Sequence, residues 1–291
     1  MLAMDNIKIS FTKMHGLGND YIYVYCPEKE PAFPEKISEI LSRRHFSVGS
    51  DGLVLICASS VADAKMRMFN ADGSEGGMCG NAVRCVGKYL YDKNIIKKEN
   101  ISIETLSGIK YLSLRLGEDG LVQSVRVDMG RANFSPKAVP TSFEVEAVDA
   151  PITVDGKEYR ITALSTGSAH CVAFGEDVFN MDISHIGPLF ESHQAFPNRV
   201  NTEFIECLSD VHINMRVWEK GSGETLACGT GACASVAAAV RLGKCRSGVP
   251  VKVTLRGGEL FITCGEDYSL VMEGSAETVY DGEILLPREL F

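Results

Sequence analysis

One stretch of this chain occurs twice. Met66-Arg67-Met68-Phe69 returns as Met215-Arg216-Val217-Trp218, an offset of 149 residues. Without a gap, the same offset pairs Glu75 with Glu224, Cys79 with Cys228 and Gly80 with Gly229. Each copy reads as a strand, a glycine-rich turn, Cys-Gly and then a helix. Agreement in both residues and order of elements points to a duplication, and so to two similar halves. The length of 291 residues agrees, being about twice an ordinary domain. The expected domains are residues 1–132 and 133–277, with a last strand at 278–291 returning to the first. The segment 130–140, with Gly130, Pro136 and Pro140, reads as the crossing point.

Short runs of strand character, punctuated by Gly, Asp and Asn, fill both halves. They fall at 8–12, 21–25, 53–57, 65–69, 101–104, 110–116 and 122–128. In the second half they fall at 152–154, 159–163, 171–174, 203–206, 213–218, 251–255, 260–264 and 270–273. Helices are expected only at 34–44, 81–92 and 231–242. Many short strands with few helices, in no strict alternation, mean an α+β (mixed α/β) fold with curved or closed sheets. The composition, 45% hydrophobic and 23% charged, supplies two packed cores and argues against disorder. A net charge of −9 weighs against binding nucleic-acid phosphates. No apolar run reaches the length of a membrane span, and the first ten residues lack the basic-then-apolar order of a leader. A cytoplasmic protein is the expectation.

There are ten cysteines. Disulfides are disfavoured in a reducing compartment, and the absence of any C-x-x-C argues against a zinc site. Eight of the ten, Cys26, Cys57, Cys85, Cys171, Cys207, Cys233, Cys245 and Cys264, read as ordinary small hydrophobes. Cys79 and Cys228 do not. Each lies between a glycine-rich loop and a helix start, where free N–H groups and the helix dipole attract negative charge. A thiol there is expected below its ordinary value of about 8.5, and the same N–H groups can hold a carboxylate. Two such turns, facing one ligand across a domain interface, suit removal of a proton from one face of a carbon and its return to the other. One cysteine is the thiolate base and the other the thiol acid, and the roles exchange in reverse. The carbanion would be stabilised by N–H donors aimed at the neighbouring carboxylate. No metal, nicotinamide or pyridoxal motif is present in the sequence. A competing class is a non-catalytic ligand binder or redox sensor, in which the two thiols form a disulfide.

The motifs His15-Gly16-Leu17-Gly18-Asn19-Asp20, Phe69-Asn70-Ala71-Asp72-Gly73-Ser74-Glu75, Met78-Cys79-Gly80-Asn81 with Arg84-Cys85, and Gly223-Glu224-Thr225-Leu226-Ala227-Cys228-Gly229-Thr230-Gly231-Ala232-Cys233-Ala234 resemble the diaminopimelate epimerase family. The resemblance runs over nearly the whole chain. It implies two similar domains, each a barrel-like sheet around a central helix, and a homodimer. It implies a small amino-acid substrate, no cofactor and no metal. The reaction implied is two-cysteine interconversion of LL- and meso-diaminopimelate, for lysine and cell-wall synthesis. Cys79 and Cys228 match the catalytic pair. Gly80, Asn81, Gly229 and Thr230 match the residues holding the reacting carboxylate. Asn19, Asn70 and Asn201 match substrate-binding asparagines, and His170 and Glu219 match residues beside the cysteines and the reacting amino group. The chain departs from the family pattern where Ser168 replaces an Asn and Lys220 an Arg, both at the distal end of the substrate. Lys loses the bidentate fork of Arg, and Ser has fewer donors than Asn. The departures raise a second reading: the same chemistry on another amino acid, such as histidine.

Overall fold

The computed structural model describes residues 6–291; the first five residues, half of the segment read above for a leader, lie outside it. The described chain forms two compact units, one ending at Val127 and completed by Gly274–Phe291, the other Asp128–Glu273. The division falls ahead of the 130–140 segment.

In the first unit the strands are β1 (Asn6–Gly16), β2 (Asn19–Cys26), β3 (Gly52–Cys57), β4 (Ala64–Asn70), β5 (Glu75–Gly76), β6 (Asn100–Thr105), β7 (Gly108–Leu116) and the start of β8 (Val122–Arg131), which continues past the division, with helices α1 (Pro34–Ser42) and α2 (Gly80–Asp92). The second has β9 (Ala150–Val154), β10 (Lys157–Ser165), β11 (Ala169–Phe174), α3 (Ile183–Glu191), β12 (Asn201–Ser209), β13 (His212–Glu219), β14 (Gly223–Thr225), α4 (Gly229–Arg241), β15 (Pro250–Leu255), β16 (Gly258–Cys264) and β17 (Ser269–Gly274). The last strand, β18 (Glu277–Pro287), pairs antiparallel with β1.

The duplication extends to the strand register. Tyr21 pairs with Gly52 in the parallel β2–β3 ladder, and His170 pairs with Asn201 in the parallel β11–β12 ladder. Both partners are displaced by the same 149 residues as the cysteines. A second parallel step, β4 to β6, recurs as β13 to β15, and the remaining neighbours within each ladder are antiparallel. Parallel neighbours require a crossover, and the crossovers are the helices. The outer helix packs on one side of its sheet. Ile37 and Leu41 of α1 join Ile22, Leu53, Leu55 and Phe69. Ile183, Ile186 and Phe190 of α3 join Ile161, Cys171 and Phe204. The ring of Phe190 stands edge-on to Tyr159 at 5.1 Å and to Phe204 at 5.0 Å. Each fully buried side chain of this size contributes about 1.5–3 kcal/mol.

The inner helices lie within their sheets and are buried nearly all round. This is the burial expected of an enclosed helix. In α4 the sequence supplies alanine on almost every side: Ala232, Ala234, Ala237, Ala238 and Ala239 are all unexposed. Small side chains let strands approach from several directions. Helix α2 instead carries two buried cations. Lys88 Nζ donates to Val122 O at 2.6 Å and pairs with Asp92 at 2.8 Å, while Arg84 is wholly buried.

The elements differ from the sequence reading in three ways. Helix α1 stops at Ser42, because Arg43 turns to extended backbone (φ −61°, ψ 101°). Helix α3 was not expected, because Gly187-Pro188 inside it reads as a break. Its glycine is a packing requirement: a Cβ at Gly187 would lie 2.4 Å from the Trp218 ring. Third, the eight ordinary cysteines are not all isolated hydrophobes. Burial does push the Cys85 and Cys264 thiols up to about 11. But Cys26 and Cys57, opposite each other at the ends of β2 and β3, have their sulfurs 3.5 Å apart, and Cys207 hydrogen-bonds Cys245.

Candidate active site

Each unit presents one cysteine in the same setting. Cys79 (φ −125°, ψ 122°) is the N-cap of α2, and Cys228 (φ −120°, ψ 111°) is the N-cap of α4. The turn that delivers each one is clasped by an arginine fork. Arg67 Nε and Nη2 donate to Glu75 at 2.7 and 2.9 Å. Arg216 Nε and Nη2 donate to Glu224 at 2.7 and 3.0 Å. The repeated Arg and Glu therefore tie the glycine-rich hairpin to its strand through a bidentate, charge-assisted pair. Arg216 is the more deeply set, and its Nη1 also donates to the carbonyls of Val178, Phe179 and Met181.

In the first unit, Leu17 (φ 56°) and Gly18 (φ 83°) turn the chain sharply from β1 into β2. The turn brings Asn19 to the helix start, where its Oδ1 accepts from the Cys79 thiol at 3.3 Å and from Asn81 Nδ2 at 3.4 Å. Asn19 Nδ2 donates to Asp51 at 2.9 Å. Buried Arg84 anchors the same helix turn, with Nη1 to Gly80 O at 3.2 Å, Nη2 to Asn81 Oδ1 at 3.0 Å and Nε to Ser275 O at 3.1 Å. Cys79, Gly80, Asn81 and Asn19 are thus brought together. Asn70 is at the end of β4, exposed, its amide donating to Ser74 Oγ at 2.9 Å.

In the second unit, the half-exposed Thr230 and the N–H of Gly231 lie against Cys228, whose sulfur accepts from Gly231 N at 3.3 Å and meets Thr230 Oγ1 at 3.4 Å. Glu219 is hydrogen-bonded to the Cys228 thiol and accepts from Thr225 Oγ1 at 2.5 Å. His170, wholly buried, meets Ser168 Oγ through Nε2 at 2.9 Å and Glu203 through Nδ1 at 2.7 Å. Asn201 braces the rim: its Nδ2 donates to Ala169 O at 3.0 Å and its Oδ1 accepts from Lys220 N at 2.9 Å. Lys220 itself is exposed. Thr166 Oγ1 donates to Thr230 O at 3.1 Å, joining the Ser168 loop to the start of α4, just after Gly229.

The electrostatics of Cys228 correct the sequence reading. A helix start was expected to lower its thiol, and the Gly231 N–H and Thr230 do pull in that direction. Burial, together with the Glu219 and Glu203 carboxylates, outweighs them, and the thiol is held well above its ordinary value. Desolvation of the charged form wins because Cys228 is almost unexposed, at 7%. Glu219 is also raised, first by burial and then by Glu203, against the pull of Thr225, His170 and Cys228. Cys228 therefore rests as a thiol, a proton donor with a carboxylate beside it.

Three participants were not anticipated. Arg84 was visible only as part of a motif. Gly231 leaves room for a carboxylate, since a Cβ there would lie 2.6 Å from Glu203 Oε1. Glu203 is wholly buried and its Oε2 has no hydrogen-bond partner. Its one sequence signal is a charge at an interior position of a strand, between Thr202 and Phe204.

The fold is shared with solved proteins of low sequence identity. A hydroxyproline epimerase from Agrobacterium vitis superposes with a TM-score of 0.71 at 15% identity, covering 98% of this chain and 93% of that one. A PhzF-family phenazine biosynthesis protein from Bacillus anthracis gives 0.69 at 17% identity, covering 96% and 100%. The likeness to these two proteins is one of fold. The diaminopimelate epimerase pattern matches residues 11–135 and 162–279. The diaminopimelate epimerase of Methanococcus maripaludis is 50% identical over 95% of this chain and 99% of that protein. That of Acetivibrio thermocellus is 48% identical over 94% and 98%. The chain belongs to the diaminopimelate epimerase family.

Proposed function

We propose that the protein is an isomerase that interconverts LL- and meso-diaminopimelate by inverting one Cα, with Cys79 and Cys228 as its two acid–base groups. The observation that carries the reading is their equivalence: each caps the inner helix of a duplicated unit, after a clasped glycine-rich turn. Cys228, resting as a thiol beside Glu219, is suited to deliver the proton. Cys79, as thiolate, removes the α-proton from the opposite face. The forward step leaves Cys79 as the thiol and Cys228 as the thiolate, so in the reverse direction Cys228 is the base and Cys79 the acid. The backbone N–H groups of Gly80, Asn81, Gly229 and Thr230 hold the reacting carboxylate, where charge builds up as the carbanion forms. Asn19, Asn70, Ser168, Asn201 and Lys220 bind the rest of the substrate, with His170 in support. The relatives near 50% identity favour diaminopimelate over histidine. On this reading the enzyme works in the cytoplasm as a homodimer and supplies lysine and cell-wall synthesis.

The test is α-proton exchange in D₂O. LL-diaminopimelate should take up deuterium far faster than histidine or any monocarboxylic amino acid, and Cys79→Ala and Cys228→Ala should each abolish epimerisation. Exchange with no amino acid by reduced protein would refute the catalytic reading. Equal or faster exchange with histidine would refute the substrate.

A further inference from the structure

The parallel β2–β3 ladder sets Tyr21 opposite Gly52, and the residues just before them meet: Asp51 N donates to Asp20 O at 2.8 Å. That register brings the Asp51 side chain beside the start of β2. Its Oδ2 accepts both the Asp20 N–H at 3.1 Å and Asn19 Nδ2 at 2.9 Å, while its Oδ1 faces Arg44 at 2.9 Å. The two ends of an amide are told apart only by their partners. A carboxylate can only accept, so the end of Asn19 that meets Asp51 is the NH₂. The opposite end of the chain starts from Arg84, which can only donate. Its Nη2 meets the Asn81 side chain at 3.0 Å, so the Asn81 oxygen lies there, and the Asn81 NH₂ points on to Asn19 Oδ1 at 3.4 Å. Assigned from opposite ends, the two amides agree: Arg84 donates to Asn81, Asn81 to Asn19 and Asn19 to Asp51. Turning either amide would set like groups against each other at both of its ends. Asn19 therefore shows its oxygen to the Cys79 sulfur, 3.3 Å away. The arrangement is closely packed, since a Cβ at Gly16 would lie 3.0 Å from both Arg84 Nη2 and Asn81 Cβ. At the offset of 149 the second unit has Ser168, Val200, Thr230 and Cys233 in place of Asn19, Asp51, Asn81 and Arg84, so this chain of amides belongs to the first unit.

We propose that Asp51 is a positioning residue: by holding the Asn19 amide it keeps an oxygen, and not an NH₂, against the sulfur of Cys79. Its part in catalysis rests on the function proposed above, in which Cys79 takes the α-proton. An oxygen can accept from the S–H that this step creates, and has nothing to donate to the thiolate that precedes it. The neighbour of Cys79 thus favours the sulfur after proton removal over the sulfur before it, which is the direction of the step. Without Asp51 the amide is free to turn, and its NH₂ would hold the thiolate instead.

The test compares Asp51→Ala with Asp51→Asn. Both remove the same charge, and the Asp51 side chain is 39% accessible, so both should fold. Asparagine can still turn an oxygen to Asn19, because the fixed N–H of Asp20 selects that end; alanine cannot. For diaminopimelate, kcat should fall about tenfold in Asp51→Ala, the scale of one hydrogen bond, and Asp51→Asn should restore most of it. Arg44→Ala, which breaks the ion pair but leaves the amides in place, should keep kcat near the wild-type value. A second arm needs no turnover. Alkylation of Cys79 by iodoacetamide, in substrate-free protein at neutral pH and read by peptide mass spectrometry, should be several-fold faster in Asp51→Ala than in Asp51→Asn. Only in the alanine variant can an NH₂ stabilise the reacting thiolate. Equal alkylation in the two variants, or a loss of kcat in Asp51→Asn or Arg44→Ala as large as in Asp51→Ala, would overturn the proposal. Equal alkylation, with a wild-type protein that epimerises diaminopimelate, refutes this inference alone. Unequal alkylation, with a wild-type protein that ignores diaminopimelate, refutes the substrate alone.

Discussion

Gly231→Ala is expected to damage both stability and catalysis through one contact. The new Cβ would stand 2.6 Å from Glu203 Oε1, 3.1 Å from its Cγ and 3.2 Å from Cys228 Sγ. Ordinary contact begins at about 3.5 Å, so the carboxylate must retreat by nearly 1 Å. Its link to His170 is 2.7 Å long, and a retreat on that scale takes it beyond hydrogen-bond range. Glu203 and His170 are wholly buried, so water does not replace the lost bond. The loss is about 1.5–3 kcal/mol for the hydrogen bond and about 1–3 kcal/mol for overpacking. Alanine returns about 1 kcal/mol through helix propensity. The net destabilisation is about 1.5–5 kcal/mol, and for a protein of this size Tm should fall by roughly 3–20 °C. The same Cβ presses on the Cys228 sulfur, and a displacement of this order should cost about 100-fold in epimerisation. Thermal melting by circular dichroism and deuterium exchange at Cα read the two effects. A variant with unchanged Tm and wild-type exchange would refute the close packing of carboxylate, helix start and thiol.

The remaining predictions concern alkaline stability and the two arginine clasps. The folded state holds the Cys228 proton above the value at which the unfolded chain releases it, about 8.5. The stability this contributes is complete below that pH and is lost as pH rises beyond it. Cys228→Ala should therefore show a shallower loss of stability between roughly pH 8.5 and 10 in urea titrations, and an identical slope would contradict the raised thiol. Arg216→Ala should cost about 2 kcal/mol or more, because Glu224 keeps only its half-exposed partner Arg256 and the carbonyls of Val178, Phe179 and Met181 each lose a charged donor. Arg67→Ala, at a more exposed pair with side chains 23% and 28% accessible, should cost about 1 kcal/mol. Denaturant midpoints that reversed this order would show that the clasps do not differ in depth as described.

Much of the architecture was legible because it depends on short-range spacing. Strand alternation, the Pro34 helix start and the alanine-rich run after Cys228 are local patterns, and the offset repeat needs only comparison of the chain with itself. The same holds for the place of both cysteines at helix starts, where a glycine-rich turn, a cap and a helix follow in a few residues. Helix α3 was hidden for the opposite reason. Gly187 breaks the local pattern and makes sense only against the Trp218 ring, which comes from another strand.

What the sequence alone determined is the duplication, the mixed fold and the place of Cys79 and Cys228 at helix starts. What only the tertiary structure decided is their chemical state and their company. Asn19 reaches Cys79 across 60 residues of chain, and Glu203 reaches His170 across 33. No local pattern encodes such pairs, because they are made when strands align in register. The helix dipole at Cys228 is a local effect and predicts a lowered thiol. Burial among two carboxylates is a tertiary effect, and it reverses the sign, because removing water from a charge outweighs the fields of a few aligned N–H groups.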